Sequence, residues 1–403
     1  MKLTLLLRYT IIFIVAFIGL QVVAQESVFY TERPNIDTLQ SDLGISIQNL
    51  NGIKNKEYFN YITDGETILG TQLHPEFFYK ASPKISLYAG AFLYKNYGQD
   101  RLDKVIPTFT MHYVTGKHTL TFGNLDARDN HKMIEPMLGN EKVLSETVLE
   151  TGFSYEFTTQ KQHLEAWIDW ENFIEPLADD REIFTIGLSY DYTIFNHQNH
   201  TITGHLQHLY YHEGGQINKK ERFSDEPDIS LKVNLNSTTI GASYTYAISD
   251  RAQLFTSLYI LSSATNDGND TFPFPNGKGF YGFAGYRITD WTIFAGYFAA
   301  DGFTAAKSNP IFNTLSTKVN NNSFNGIPDE RYTGHKEKDR TLFFTRVQYK
   351  KNIAKNIAIG LQGALYYQRN DAFLEDYAFL GNEKGQLDYN YGVFATFSNI
   401  FGF

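Results

Sequence analysis

ISLYAGAFLYK, residues 85–95, decides how this chain folds. Ile85, Leu87, Ala89, Ala91 and Leu93 fall on one face of an extended chain, and Ser86, Tyr88, Gly90, Phe92 and Tyr94 fall on the other. Successive side chains of a strand point to opposite faces, so a period of two held over about ten residues marks a strand with two different surroundings. LETGFSYEFT, residues 149–158, repeats the pattern, with Thr151, Phe153, Tyr155 and Phe157 set against Glu150, Gly152, Ser154 and Glu156.

Outward from these two segments the pattern recurs about sixteen times, first at 44–50 and last at 386–403. The connections alternate in length. Residues 81–84, 116–117, 159–162, 194–199, 249–251, 289–290 and 351–355 are short links, whereas 126–147, 212–236 and 301–339 are long and rich in Asn, Asp and Gly. Bacterial transmembrane barrels have short periplasmic turns and long extracellular loops, and an even strand count leaves both termini in the periplasm. The expected fold is therefore all-β: a transmembrane antiparallel up-and-down β-barrel of about sixteen strands, occupying residues 44–403.

Composition supports that class. Aromatic residues make up 16% of the chain, with 27 Tyr and 33 Phe, as two interfacial girdles require. The opening MKLTLLLRYTIIFIVAFIGLQVVAQ has Lys2 and Arg8 ahead of an apolar run from Ile11 to Leu20, with small residues before Gln25. That is the pattern of a secretory signal peptide, expected at 1–24 and followed by a short periplasmic segment at 25–43. No later stretch is apolar for long enough to form a transmembrane helix. The chain has no cysteine, which excludes disulfides, thiolate metal sites and a lipidated N-terminal cysteine. The net charge of -9, about -11 without Lys2 and Arg8, disfavours nucleic acid as a partner.

The last segment, LDYNYGVFATFSNIFGF, aligns Tyr389, Tyr391, Val393, Ala395, Phe397, Phe401 and the terminal Phe403 on one face. It resembles the closing strand of bacterial outer-membrane barrels. That resemblance implies that Phe397, Phe401 and Phe403 form a signal read by the barrel-assembly machinery. The Asn, Tyr and Phe richness, with segments such as 57–70 and 167–171, resembles porin-like outer-membrane barrels of the Bacteroidota. The strand count also resembles general porins of sixteen strands, in which the loop after the fifth strand folds inward. On that likeness Asp126, Asp129 and Glu135 are candidate constriction residues, with Met133-Ile134 and Met137-Leu138 suggesting a loop that packs on something. A loop lying over the rim is the alternative.

HLEAWIDWE, residues 163–171, places His163, Glu165, Trp167, Asp169 and Glu171 on one face and Leu164, Ala166, Ile168 and Trp170 on the other. Charge on the lipid face is costly, so the acidic face is assigned to the lumen. Glu150 and Glu156 join it from the preceding strand, and Arg346 and Lys350 are assigned to the opposite wall. The set suits a cation site, a sugar-binding ladder, or the wetted wall of a pore.

Local catalytic motifs are missing. There is no His-Glu-x-x-His, Gly-x-Ser-x-Gly or Gly-x-x-x-x-Gly-Lys, and no histidine is followed by Ser two residues later, as in outer-membrane phospholipases. His205 and His208 stand three apart and point to opposite faces of a strand. The expectation is a protein that is not an enzyme, with no cofactor: a porin for passive diffusion of small polar solutes, with a mild cation preference. The alternative is an occluded barrel that binds a partner or glycan. Outer-membrane lipid and, during biogenesis, the assembly machinery are the expected partners; a homo-oligomer is left open.

Overall fold

The computed structural model describes residues 33–60, 62–127, 129–140, 144, 148–174, 181–214, 233–265, 272–316, 338–369 and 385–403. The expected signal peptide at 1–24 lies outside them. Sixteen strands close one antiparallel barrel in sequence order, with the last paired to the first. They are β1 (Leu43–Glu57), β2 (Thr67–Ser82), β3 (Ile85–Asn96), β4 (Lys104–Thr115), β5 (His118–Asp126), β6 (Leu149–Thr158), β7 (Gln162–Asn172) and β8 (Ile183–His197). The second half is β9 (His200–Glu213), β10 (Val233–Ser249), β11 (Ala252–Thr265), β12 (Asn276–Ile288), β13 (Trp291–Asp301), β14 (Asp339–Ala354), β15 (Ile357–Arg369) and β16 (Gly385–Gly402). Among the described residues no helix is long and apolar enough to cross a membrane; the strands do so.

Alternation predicts the two faces because inward residues are more buried than their neighbours, which face lipid. In β11, Phe255, Ser257, Tyr259, Leu261 and Ser263 are buried, whereas Leu254, Leu258 and Ile260 are exposed. β1 is longer than its sequence pattern, which breaks off at Leu50 because Asn51 and Asn55 interrupt the outward apolar row. The backbone continues, paired to β2 as far as Asn55↔Thr67 and to β16 as far as Glu57↔Tyr389. The outward amides satisfy one another: Asn51 Nδ2 donates to Asn49 Oδ1 at 2.5 Å, and Asn49 Nδ2 donates to the Gln72 carbonyl at 2.7 Å. Such pairing is required where no water can serve a polar group.

The wall is not zipped evenly. The β4–β5 ladder ends at Thr110↔Gly123 and the β6–β7 ladder at Gly152↔Asp169. The neighbouring ladders run on to Tyr94↔Lys104 and Asn172↔Ile183. The tips of β5 and β6 therefore keep backbone rungs only with each other, from Gly123↔Gly152 to Asp126↔Leu149, while side chains bridge the two seams: Phe109 N–H donates to Asn124 Oδ1 and Thr151 N–H to Asp169 Oδ1, both at 2.8 Å. Glycine permits this hinge. A Cβ on Gly123 would stand 2.1 Å from the Phe109 carbonyl oxygen, one on Gly152 the same distance from that of Ile168, and Gly123 has φ +101°. Beyond the hinge, Leu144 and Val148 pack with Leu50, Phe92, Tyr94 and Phe394, inward-facing residues of β1, β3 and β16, and Leu149 lies against this cluster. The tip thus leans into the lumen.

At the short-turn end, residues ahead of β1 tuck into the mouth. Ile36 packs on Phe78 and Tyr88, and the Arg33 guanidinium donates to both Glu76 oxygens at 2.9 and 3.1 Å, with Tyr88 4.6 Å beneath it.

Candidate active site

Two loops fill the middle of the barrel. The first, after β5, turns inward through Asn130, His131 and Lys132, three successive non-glycine residues with φ of 58°, 48° and 56°. Left-handed backbone of this kind costs roughly 1–2 kcal/mol per residue and persists only where surrounding contacts impose it. They do so here. His131 Nδ1 lies 2.6 Å from Glu165 Oε1 and Nε2 lies 2.8 Å from Glu150 Oε2. The imidazole stacks on Trp167 with centroids 3.8 Å apart and planes 10° from parallel. Trp167 lies flat because its neighbour on β8 is Gly187, whose Cβ would stand 2.1 Å from the indole. Farther on, the side-chain oxygen of Gln207 accepts from Ile134 N–H at 3.1 Å, and its amide donates to the Lys132 carbonyl.

Burial works against a charge on His131, but the Glu165 and Glu150 carboxylates outweigh it and raise its pKa to about 10. A folded-state pKa above the unfolded value of about 6.5 means the clamp contributes fully below pH about 6.5 and is lost as pH rises through about 10. A fluorescence change of Trp167 with a midpoint above pH 9, absent from a His131→Gln variant, is the expected signature. A midpoint near 6.5 would contradict a carboxylate-held imidazolium.

The second loop, after β13, brings Phe303, Ile311 and Phe312 inward against Tyr281, Phe298, Phe344 and Tyr366. The two loops are joined. Gly139 N–H donates to the Lys307 carbonyl at 2.6 Å and Asn309 N–H to that of Glu135 at 2.9 Å. Glu135 is the centre of the assembly. It accepts from Arg346 Nη1 at 2.5 Å and Nη2 at 3.0 Å, from Asn140 at 2.6 Å and from Asn309 at 3.1 Å, all buried. Arg346 also donates to Tyr366 Oη at 3.1 Å.

Below this plug, toward the short turns, three adjacent strands bring together a second constellation. Asp191 of β8 and His205 of β9 are directly paired, and Ser243 of β10 lies two residues beyond Gly241, the partner of His205 on the other side. His205 Nδ1 lies 2.6 Å from Asp191 Oδ1 and Nε2 lies 2.8 Å from Ser243 Oγ. Asp191 and His205 are buried; Ser243 is half-buried. Nearby inward residues Thr193, Thr203, Thr245 and Gln253 are also only half-buried, so water reaches this side of the lumen. A hydroxyl, an imidazole and a carboxylate hydrogen-bonded in series form the arrangement that activates a serine nucleophile. Among the described residues no group of three or more His, Cys, Asp or Glu is placed to hold a metal ion.

The structure distributes the residues singled out by sequence among these features. Glu150, Glu165 and Trp167 hold His131, while Asp129 is exposed and accepts from His131 N–H at 3.1 Å. Asp126 ends β5. Asp169 accepts from Thr151 N–H at 2.8 Å; Glu171 accepts from Thr185 Oγ1 at 2.7 Å and pairs with Lys307. Glu156 stands opposite Glu165 in the β6–β7 ladder. Lys350 is on the inward row of β14 and half-buried. Arg346 does not face an acidic wall across open water, because Glu135 of the first loop reaches it. Phe397 and Phe401 lie on the outward row of β16, and Phe403 is exposed beyond it.

Fold and site together define an integral outer-membrane barrel, channel-like in architecture, whose lumen carries a two-loop plug. The family model described as lipid A 3'-O-deacylase-type matches residues 33–403, and the chain belongs to that family. No curated protein matches it. The outer-membrane protein OprD from Pseudomonas aeruginosa is similar over 93% of this chain and 98% of its own, at 12% identity and a TM-score of 0.50. A loop L8 deletion mutant of OmpT, an outer-membrane protein of Vibrio cholerae, covers 89% of this chain and 100% of its own at 9% identity and a TM-score of 0.49. At 12% identity the likeness to OprD shows the fold alone. The expectation of a protein that is not an enzyme is corrected by the family, which is one of deacylases. A local motif is a spacing along the chain, whereas residues 191, 205 and 243 meet only through the register of three strands.

Proposed function

We propose that this barrel hydrolyses acyl esters, with Ser243 as nucleophile, His205 as general base and Asp191 as the group that orients it. The carrying observation is the serial hydrogen bonding of the three side chains, at 2.8 and 2.6 Å, on the water-reached side of the lumen. Membership of a deacylase-type family supports the reaction class. With Nδ1–H donated to Asp191, the imidazole presents its Nε2 lone pair to the Ser243 hydroxyl. Nε2 takes the hydroxyl proton as Oγ bonds to the ester carbonyl carbon, then returns that proton to the departing alcohol oxygen. Water, deprotonated in the same way, releases the carboxylic acid and restores Ser243. Lipid A, named in the family's description, contains such esters, and the acyl ester is the part of it that this trio can act on.

The direct test is to treat folded protein in detergent with a fluorophosphonate probe and to locate the adduct by peptide mass spectrometry. Labelling at Ser243, together with release of nitrophenol from a short-chain nitrophenyl ester, is expected. No labelling, or turnover equal to that of a Ser243→Ala variant, would overturn the assignment.

Passive diffusion of small polar solutes is the second reading. A sixteen-strand circumference favours it, since barrels of that size leave an aqueous lumen when nothing fills them. The plug opposes it, so passage requires the two loops to move.

A further inference from the structure

The wall around Ser243 is of two kinds. On one side stand Ser257, its direct partner on β11, Phe255 and Tyr259 two residues to either side of Ser257, and Phe283 beyond it on β12; all four are buried. The Tyr259 ring fills the space over Gly241, where a Cβ would stand 2.2 Å from it, and its centroid lies 5.5 Å from that of His205. Phe283 packs on Phe255, Tyr281 and Phe294, with centroids 6.2, 5.6 and 5.5 Å away. Among the described residues, the apolar groups beside the Ser243 hydroxyl are thus packed on one another and line no acyl pocket.

On the other side the surface is polar. Thr203, the partner of Ser243 on β9, continues the same row to Thr193 on β8, and Thr245 and Gln253 stand on the next rows toward the short turns. All four are half-buried, and none of their side chains has a hydrogen-bond partner among the described residues. Arg287, beside Gln253 on β12, is turned to Thr292, to which its Nε donates at 3.1 Å, and to the Phe255 ring. Toward the long loops the site is roofed. Gln207, two residues above His205, bonds Ile134 and Lys132 of the first loop, and Ser237 donates to the Thr304 carbonyl of the second. Toward the short turns, Ile36 and Leu39 pack with Phe78, Tyr88 and Ile400, across the lumen from β8 to β11. The approach to Ser243 is therefore from the short-turn mouth, over hydroxyls and an amide.

Hydroxyls donate and accept, as an amide does, so this row pairs with an alcohol that carries further hydroxyl or ester oxygens. A long acyl chain would hang in water there. It would forgo the roughly fourfold gain that each CH2 brings where an apolar pocket receives it. We infer, on the hydrolytic reading of Ser243, that its substrate is a short-chain, acetyl-type ester of a water-soluble polyol, which enters from the short-turn mouth. Oγ takes the acetyl group from the polyol oxygen, which leaves with the proton held on His205 Nε2. Water then yields acetate and restores the hydroxyl.

The test uses the folded wild-type barrel in amphipol, so that no detergent micelle takes up the longer esters, with Ser243→Ala beside it. Hydrolysis of glycerol triacetate, followed by titration of the acid released, is expected. From nitrophenyl acetate through the butyrate to the hexanoate, kcat/KM is expected to fall or to rise by less than about tenfold, where an apolar pocket would give roughly 200-fold. A steeper rise, or no hydrolysis of the triacetate by protein that hydrolyses nitrophenyl acetate, would overturn the substrate class and leave Ser243 as nucleophile. No turnover of any ester above that of Ser243→Ala would overturn the nucleophile, and the substrate with it. Thr193→Val/Thr245→Val and Gln253→Leu keep much of the wall's shape and remove its polar groups. In at least one of them, turnover of the triacetate relative to nitrophenyl acetate is expected to drop at least threefold; a smaller change in both would overturn recognition of the polyol.

Discussion

A Ser243→Ala barrel is expected to lose ester hydrolysis by about 10⁴-fold or more in kcat, while its heat-modifiable folded form survives. The substitution removes one hydroxyl and one hydrogen bond from a half-buried position, a stability cost of about 1 kcal/mol. A sixteen-strand ladder tolerates that. His205→Ala should match it in activity, and the double variant should be no worse than either single one, because nucleophile and base act as one unit. Asp191→Asn should lose less than either, since the imidazole still faces Ser243 but has lost its tautomer control. The measurement is turnover of a nitrophenyl ester by detergent-solubilised protein, beside gel mobility before and after heating. A purely structural ladder across β8, β9 and β10 predicts the reverse: altered folding with no wild-type turnover to lose.

The barrel was legible because alternation is a property of each strand alone. Ile85 to Lys95 needs no partner to show which residues share a face, and the closing row from Tyr389 to Phe401 needs none either. The sequence pattern of β1 stops short where Asn51 and Asn55 stand among the outward residues, because only the pairing with Asn49 and Thr67 explains polar groups there. The inward turn of the loop after β5 was signalled by Met133-Ile134 and Met137-Leu138, apolar pairs that now pack in the plug. The same signal in Phe303, Ile311 and Phe312 lies within a long Asn-rich segment that masks it. The trio at 191, 205 and 243 was out of reach for a different reason. Its members meet only after the turn between β8 and β9, the register shift between Thr193 and Phe195 and the β9–β10 pairing fix the register. Inward parity on successive strands could have nominated them, and nothing short of register could have chosen them.

The plug depends most on Glu135 and Arg346, and removing either partner is expected to release it. Both side chains are only 1% exposed, and their two hydrogen bonds join the first loop to β14 across the lumen. A buried pair is costly to break rather than costly to replace: loss of one member leaves the other charged and out of water, at about 3–5 kcal/mol. The loops can escape that penalty by leaving the interior, which admits water to the remaining charge. The strands cannot, since their backbone bonds hold them. Arg346→Met and Glu135→Ala should therefore each raise conductance in a planar bilayer several-fold over wild type, with more frequent open–closed transitions. Glu135→Gln/Arg346→Met, in which neither charge remains, should stay closer to wild type than either single variant. The same recordings decide the solute-passage reading. Should the singles conduct no better than wild type, the two loops are a permanent filling of the barrel, and diffusion through it is lost as a function.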